Sequence, residues 1–566
     1  MNKLSKLVNQ DPITIEIIQN SLGAIADEMF VAMARTAMSS VIYEVLDFGV
    51  AITDAVGDLA TSGAGIPSFI GMLDPGVKAI IAKFGPKDQI HPGDVFITND
   101  PYNGGVSHMN DVVLLMPVHY EGELIAWTAN KGHWVDIGGM SPGSIDPNAT
   151  EIFQEGLMLP EVKLFDRGEP VEAVFDIIKA NGRLPEQTMG DMWAGIAALR
   201  VGKRRLTELM DKYGRETVKY AIRAYLDYGE AVSRRAIKAL PKGTYEAEDL
   251  LDDGRRLQVA VTVTEDEFIV DLRGNPPQDP GAYNASYFAT MVSAQIIFRG
   301  ITCPDTRANA GSFRPLKLIC DDGGLFNAKK PAAIGLYYEN KIRSADLIWK
   351  AMAPHIPDRI TAGHFCSICA TIIGGINSRT GKSHSFIEPE PGGWGAGAGK
   401  DGENAQFSSS HGETYNCPVE VNEARNGILV DSYRLNDEPG GEGEFRGGKG
   451  LMIDYRILDD TGWVTAAYTR TRIAPWGLHG GRDGSCNYLK VKRSDGREET
   501  YASVSNAKLG KDDVVCIVTA NGGGYGDPRK RTKQKIMDDI RNDYLTLDQA
   551  QKIYGFKPKD EEKKGG

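Results

Sequence analysis

Glycine constrains this chain more than any other residue. There are 65 in 566 residues, well above the roughly 7% of an average protein. They crowd the C-terminal part, in Gly392-Gly393, Gly440-Gly441, Gly447-Gly448, Gly480-Gly481 and Gly522-Gly523-Gly524. They keep no fixed period, which excludes a collagen-like repeat. Glycine weakens helices and strands alike and suits tight turns. The C-terminal part is therefore expected to be short strands separated by turns.

The first half reads differently. Asp11-Pro12 is a helix start, with Asp as N-cap and Pro at the first helical position. Ile15, Ile18, Leu22, Ile25, Met29 and Met33 follow at three- and four-residue steps, the mark of one buried helix face. Residues 186–240 carry a second helical pattern. Residues 48–53 and 94–98 read as short strands, and 111–119 (DVVLLMPVH) and 123–129 (ELIAWTA) flank a hairpin turn at Tyr120-Glu121-Gly122. Beyond Pro241-Lys242-Gly243, residues 257–263 and 267–272 read as strands and 287–299 and 341–352 as helices. Residues 528–551 return to a helical composition.

The expected class is α+β, in several domains. The boundaries read as an N-terminal α/β metal-binding unit over 1–240, a central α/β unit over 241–425 and a Gly-rich, β-rich unit over 426–555. A charged tail, 556–566, is expected to be disordered.

Composition excludes several functions. Asp plus Glu number 76 against 64 Lys plus Arg, a net charge of -12, which disfavours nucleic acids and anionic membranes as partners. No apolar run approaches the roughly 18 residues of a membrane span. Residues 1–12 hold no apolar signal core. Seven scattered cysteines suit reduced thiols, and so a cytoplasmic protein, better than a disulfide framework.

The candidate chemistry lies at the open end of the hairpin. His108 and Asp111 stand three apart just before its first strand. Pairing Tyr120 with Glu123 sets Asp111 opposite Gly132, beside His133, so the loop 130–133 returns to the same end. Two imidazoles and a carboxylate converge there, a set that suits Zn²⁺, Mn²⁺ or Fe²⁺ and leaves positions open for water or substrate. Asp47, which opens another short strand, is a candidate fourth ligand. Asp136, just beyond His133, and Glu151 are candidate proton acceptors near the ion.

Other motifs carry less. Cys366-Ser367-Ile368-Cys369 has no second half to complete a zinc site, so two buried thiols are expected. The Lys203-Arg204-Arg205 cluster reads as a solvated helix face. Residues 397–402 match GxGxxG by letter but not by context. There is no phosphate-binding GxxxxGK[ST] loop and no GxSxG. If ATP is used, this chain shows no familiar site for it.

Several runs, taken in order, resemble one family: Glu44-Val45-Leu46-Asp47-Phe48, Asn99-Asp100-Pro101-Tyr102, Ser107-His108-Met109-Asn110-Asp111, residues 149–156 (ATEIFQEG), Gly392-Gly393-Trp394-Gly395-Ala396, Asn416-Cys417-Pro418-Val419-Glu420, Arg446-Gly447-Gly448-Lys449-Gly450 and residues 522–528 (GGGYGDP). The sequence is similar to the hydantoinase B/oxoprolinase family over nearly its whole length. That family includes ATP-dependent hydantoinases, 5-oxoprolinases and lactamases, and also acetone and acetophenone carboxylases.

The resemblance implies a subunit that works in a hetero-oligomer with a hydantoinase A-type partner, which binds the ATP and phosphorylates the substrate. It implies one divalent metal, held by Asp47, His108, Asp111 and His133. It implies hydrolysis of an activated cyclic amide, such as a hydantoin, 5-oxoproline or a lactam. A ketone carboxylase subunit, and a structural subunit whose metal braces the fold, are the alternatives. Val45 and Gly49 stand where typical members carry Arg and Ser around the first ligand.

Overall fold

The computed structural model describes residues 11–412 and 414–557, so the expected tail lies, from residue 558 on, outside the described residues. The class is α+β, as the patterns indicated. Seven strands form an antiparallel sheet: β1 (Phe48–Asp54), β2 (Leu59–Gly65), β3 (Val95–Thr98), β4 (Asp111–Tyr120), β5 (Glu123–His133), β6 (Val162–Asp166) and β7 (Glu169–Pro170), in the order β2-β1-β5-β4-β3-β6-β7.

Both faces of this sheet are covered. Val112, Leu114 and Met116 of β4 pack toward the helices Pro12–Thr36 and Pro185–Tyr213, while Val113 and Leu115 pack toward the helix Leu73–Phe84. Burial on two faces is why β4 reads as a continuous apolar run rather than an alternating one. The N-terminal helix starts as expected, with the Asp11 side chain accepting from Thr14 N–H. The helical stretch 186–240 is two helices, Pro185–Tyr213 and Arg215–Ala239, parted at Gly214, whose φ is 82°.

The hairpin differs from the expected register by one residue. Tyr120 does pair with Glu123, but a bulge between Val118 and His119 absorbs Ile125, and from there on the pairing shifts. Asp111 therefore faces His133 itself. The segment 130–133, expected as a loop, is the end of β5, because β1 pairs it from the other side through Phe48 and Gly132. A buried lysine inside a central strand, Lys131, is what gives it the look of a loop.

A second sheet comprises β8 (Gly243–Leu250), β9 (Arg256–Val263), β10 (Phe268–Asp271) and β11 (Leu316–Ile319), with β10 and β11 parallel and the rest antiparallel. The helices Tyr287–Thr302 and Tyr337–Met352 pack together, the second of them against β8 and β9. The latter begins one turn earlier than its apolar pattern suggests, and that first turn carries Tyr337 and Tyr338.

A third sheet takes strands from both sides of residue 425: Thr371–Ile376, Ser383–Glu388, Gly462–Ala467 and Ser503–Leu509. A fourth joins Ile428–Leu435, Leu451–Ile457, Tyr488–Lys492, Glu498–Tyr501 and Val514–Val518. Cys366 and Cys369 are buried free thiols. Arg205 of the basic cluster pairs with Glu28 and Glu208 at the helix surface. Among the described residues no helix is long and apolar enough to cross a membrane.

Candidate metal centre

Three predicted ligands meet where β4 begins and β5 ends. His108 Nε2 lies 3.2 Å from His133 Nδ1 and 3.3 Å from Asp111 Oδ1, and His133 Nδ1 lies 3.2 Å from the same oxygen. Bonds of about 2.0–2.2 Å to an ion put neighbouring donor atoms about 3.0 Å apart at a right angle and about 3.4 Å apart at the tetrahedral angle. The three separations fall within that range.

The donor atoms are also in the right state. His108 Nδ1 donates to the Gly335 carbonyl at 2.9 Å, which leaves the Nε2 lone pair facing the cluster. The ring's other nitrogen, His133 Nε2, is buried with no hydrogen-bond partner, so no acceptor or donor there fixes the tautomer against a lone pair on Nδ1, the nitrogen that faces the cluster. The residues therefore fit a divalent cation.

Asp47 stands at the edge of the set. Its Oδ2 is 4.0 Å from His133 Nδ1. The strand pairing brings it there: His133 N–H donates to the Asp47 carbonyl. Leu46, just before it, holds φ at 59°, a left-handed conformation that costs a leucine about 1–2 kcal/mol. Burial pushes the Asp47 carboxyl up to about 6, against the pull of His133.

The other oxygen of Asp111 is already used. Oδ2 meets the Lys131 ammonium at 3.1 Å and the Ser107 hydroxyl, and Lys131 also lies over the Phe69 ring. Burial would raise the Asp111 carboxyl, but Lys131 and His108 hold it well below the usual range. A buried pair of this kind costs about 3–5 kcal/mol to break from one side. Lys131 thus pins Asp111 as an anion with Oδ1 turned to the imidazoles.

Asp47, His108, Asp111 and His133 line one cavity together with Ile145, Tyr337, Tyr338, Ile387, Pro389 and His411. Its volume is about 30 Å³, room for about two or three waters. Tyr337 and Tyr338 set their rings 5.0 and 6.3 Å from that of His108.

Asp136 and Glu151 are not brought to this cavity, which corrects their expected place beside the ion. Asp136 is buried and saturated: its oxygens accept from the N–H groups of Gly138, Gly143 and Arg183 and pair with the Arg183 guanidinium at 2.9 Å. It ties down the loop after β5. Glu151 is exposed and caps the short turn Ile152–Gln154. The chain turns away after residue 134, and nearness to His133 along the sequence is lost in space.

Glu155 supports the centre instead. Its Oε1 accepts from Ile334 and Gly335 N–H at 2.9 and 2.6 Å, and Gly335 in turn receives His108. Burial pushes this carboxyl up to about 8, from an ordinary 4.5, although both N–H donors oppose the shift. A carboxyl raised in the folded state binds its proton more tightly there than in the unfolded chain. Its share of stability is therefore full below pH 4.5 and falls as pH rises toward 8. Glu155→Gln has no proton to lose and should flatten that decline. Denaturation midpoints across the window check it; a wild-type slope in the variant contradicts this role.

A second group of ligand-type side chains, Asp346, His364 and Cys366, is also buried. Here Arg470 and the Trp476 indole already hold the Asp346 carboxylate. Burial pushes the Cys366 thiol up to about 12. With its negative charge neutralised and its thiol protonated, this group suits a cation poorly.

Of the residues at the centre, Tyr337, Tyr338, Glu155 and His411 carry no signal of their own in the sequence. Glu155 stands within one of the family-like runs, which is its only mark.

A family profile described as Hydantoinase B/oxoprolinase matches residues 11–528. The chain is 32% identical to a putative D-/L-hydantoinase subunit from Pseudomonas sp. (strain NS671), over 98% of this chain and 96% of that one. It is 30% identical to the caprolactamase beta subunit of Pseudomonas jessenii, over 96% of each. The crystal structure of the ATP-dependent caprolactamase from that organism superposes with a TM-score of 0.92, covering 98% of both chains at 29% identity. A nucleotide-free acetone carboxylase superposes with a TM-score of 0.90 over 96% of this chain and 80% of the other. At 19% identity that is a likeness of fold.

Proposed function

The chain belongs to the hydantoinase B/oxoprolinase family, and from that premise we propose that it is the metal-binding catalytic subunit of an ATP-dependent cyclic-amide hydrolase. A hydantoinase A-type partner binds ATP and phosphorylates the substrate. This chain then hydrolyses the activated amide at Asp47, His108, Asp111 and His133. The observation that carries the reading is the convergence of two imidazole nitrogens and a carboxylate oxygen at 3.2–3.3 Å on the wall of a cavity.

A cyclic amide resists water because resonance stabilises it, and phosphorylation of its oxygen removes that protection. A bound Zn²⁺ or Mn²⁺ lowers the pKa of water and supplies positive charge. This chain's own residues do the rest. Lys131 fixes Asp111, the Gly335 carbonyl fixes His108, and Tyr337 with Tyr338 closes one side against bulk solvent. The hydantoinase and caprolactamase relatives are both named as subunits, which supports a hetero-oligomer. The seven unpaired thiols support a cytoplasmic setting.

The test is the complex co-purified with its partner. It is assayed with hydantoins, lactams and 5-oxoproline plus ATP, and with ketones plus bicarbonate and ATP. Ring opening coupled to ATP hydrolysis is expected, and the isolated chain is expected neither to bind ATP tightly nor to turn over. Carboxylated ketone products would favour the carboxylase alternative, and robust ATP hydrolysis by the chain alone would refute the division of labour.

A further inference from the structure

We propose that His411 is a catalytic residue of this cavity: its Nε2–H donates a hydrogen bond to the ring nitrogen of the phosphorylated amide, on which negative charge builds as the oxygen of water bonds to the activated carbon. The ring C–N bond then breaks with its electron pair on that nitrogen, which takes up a proton from the added water, and the acyl phosphate left behind is hydrolysed by a second water to carboxylate and phosphate. The inference rests on the hydrolase reading above. It supplies the polar group that Asp136 and Glu151 do not.

His411 is a third imidazole in the cavity, outside the cluster of metal ligands. It is 5% exposed and comes from a tight turn in which its N–H bonds the Ser408 carbonyl. It lines the same cavity as Asp47, His108, Asp111 and His133, so a substrate atom held at those ligands shares that space with its ring.

The hydrogen bonding fixes which ring nitrogen carries the proton. His411 Nδ1 lies 3.1 Å from Ser408 Oγ. Ser408 is buried, and among the described residues its hydroxyl has no other side-chain or backbone acceptor. A buried hydroxyl donates where it can. Nδ1 therefore accepts from Ser408, and the proton sits on Nε2.

The surroundings keep the ring neutral. Burial acts first, and the Lys341 and Lys131 amines add to it, with His108 in the same sense and only Asp111 opposed. Together they hold His411 well below its usual range. A neutral imidazole there is a poor proton acceptor but a good fixed N–H donor, and it costs no reorganisation when charge appears.

Removing one such donor typically costs about 10²–10³ in kcat. The experiment uses the co-purified complex. His411→Ala should lower kcat by about that factor, with KM little changed and metal content, by elemental analysis, as in the wild type. His411→Gln places an amide N–H near the same point and should recover at least about tenfold of the loss. Its pH profile should keep both wild-type limbs, because a donor does not titrate. Loss of metal in His411→Ala would make the residue a ligand and overturn the proposal. A Gln variant as poor as Ala, with one limb of the profile gone, would make it a general base and do the same. An active wild type with an unimpaired His411→Ala would sink this inference alone, whereas a wild type that opens no cyclic amide would sink the hydrolase reading with it.

Discussion

His108→Ala is expected to empty the metal centre. The wild type should hold about one ion per chain and the variant less than about a tenth of that. Outer-sphere partners alone change metal affinity by about 10–100-fold, and His108 supplies a donor atom directly. The fold should survive. Besides its contacts with His133 and Asp111 inside the cluster, the imidazole is tied to the rest of the fold by a hydrogen bond to the Gly335 carbonyl, worth about 1 kcal/mol net, while the sheet around it is held by two apolar cores. Elemental analysis and a thermal melt separate the two effects. Asp136→Asn is the control, because that carboxylate holds a loop and an arginine and faces no ion. It should lose stability and keep its metal. Full occupancy in His108→Ala would move the site elsewhere.

The centre is legible in the sequence because it is local. His108, Asp111 and His133 lie within one hairpin, and pairing two strands across a turn brings its ends together whatever the rest of the chain does. The bulge at Val118 is not legible, since no residue type demands it, and it decides whether Asp111 faces Gly132 or His133. Tyr337, Tyr338 and His411 reach the same cavity from more than 200 residues away. No periodicity records such a contact. Asp136 and Glu151 show the converse: closeness along the chain is not closeness in space, and two backbone turns undo it.

The glycines owe their number to more than turns. Some of the C-terminal ones do sit in turns at positive φ, Gly480 and Gly496 among them. At the centre of that half, however, they are there because they lack a side chain. The segments around Gly393, Gly448 and Gly522 lie backbone against backbone, joined by Gly448 N–H to Trp394 O at 2.8 Å and Gly522 N–H to Gly448 O at 3.0 Å. A Cβ on Gly448 would stand 1.8 Å from Glu403 O, and one on Gly393 2.2 Å from Gly448 O. Pro389, four residues before Gly393, lines the candidate metal cavity, so the chain runs from that wall into this stack of bare backbone.

Gly522→Ala should therefore be among the most damaging single substitutions in the chain. Its new Cβ would lie 2.2 Å from Trp394 O and 2.7 Å from Gly395 N, both backbone atoms that cannot swing aside as a flexible side chain would. Gly522 does not hold a positive φ, so alanine is acceptable there by conformation and the penalty is purely one of space. Overpacking of this kind costs about 3 kcal/mol or more when the obstacle is rigid. Gly399→Ala poses the opposite case. Gly399 holds φ at 86° with nothing within 4 Å of the added carbon, so its cost is conformational, about 1–2 kcal/mol. Urea midpoints of the two variants, measured beside the wild type, give the comparison. Gly522→Ala should show the much larger loss, together with poor soluble yield. If Gly399→Ala proved the worse of the two, the crowded glycines would be turn residues after all, and the close backbone stacking would not be what holds this half of the chain together.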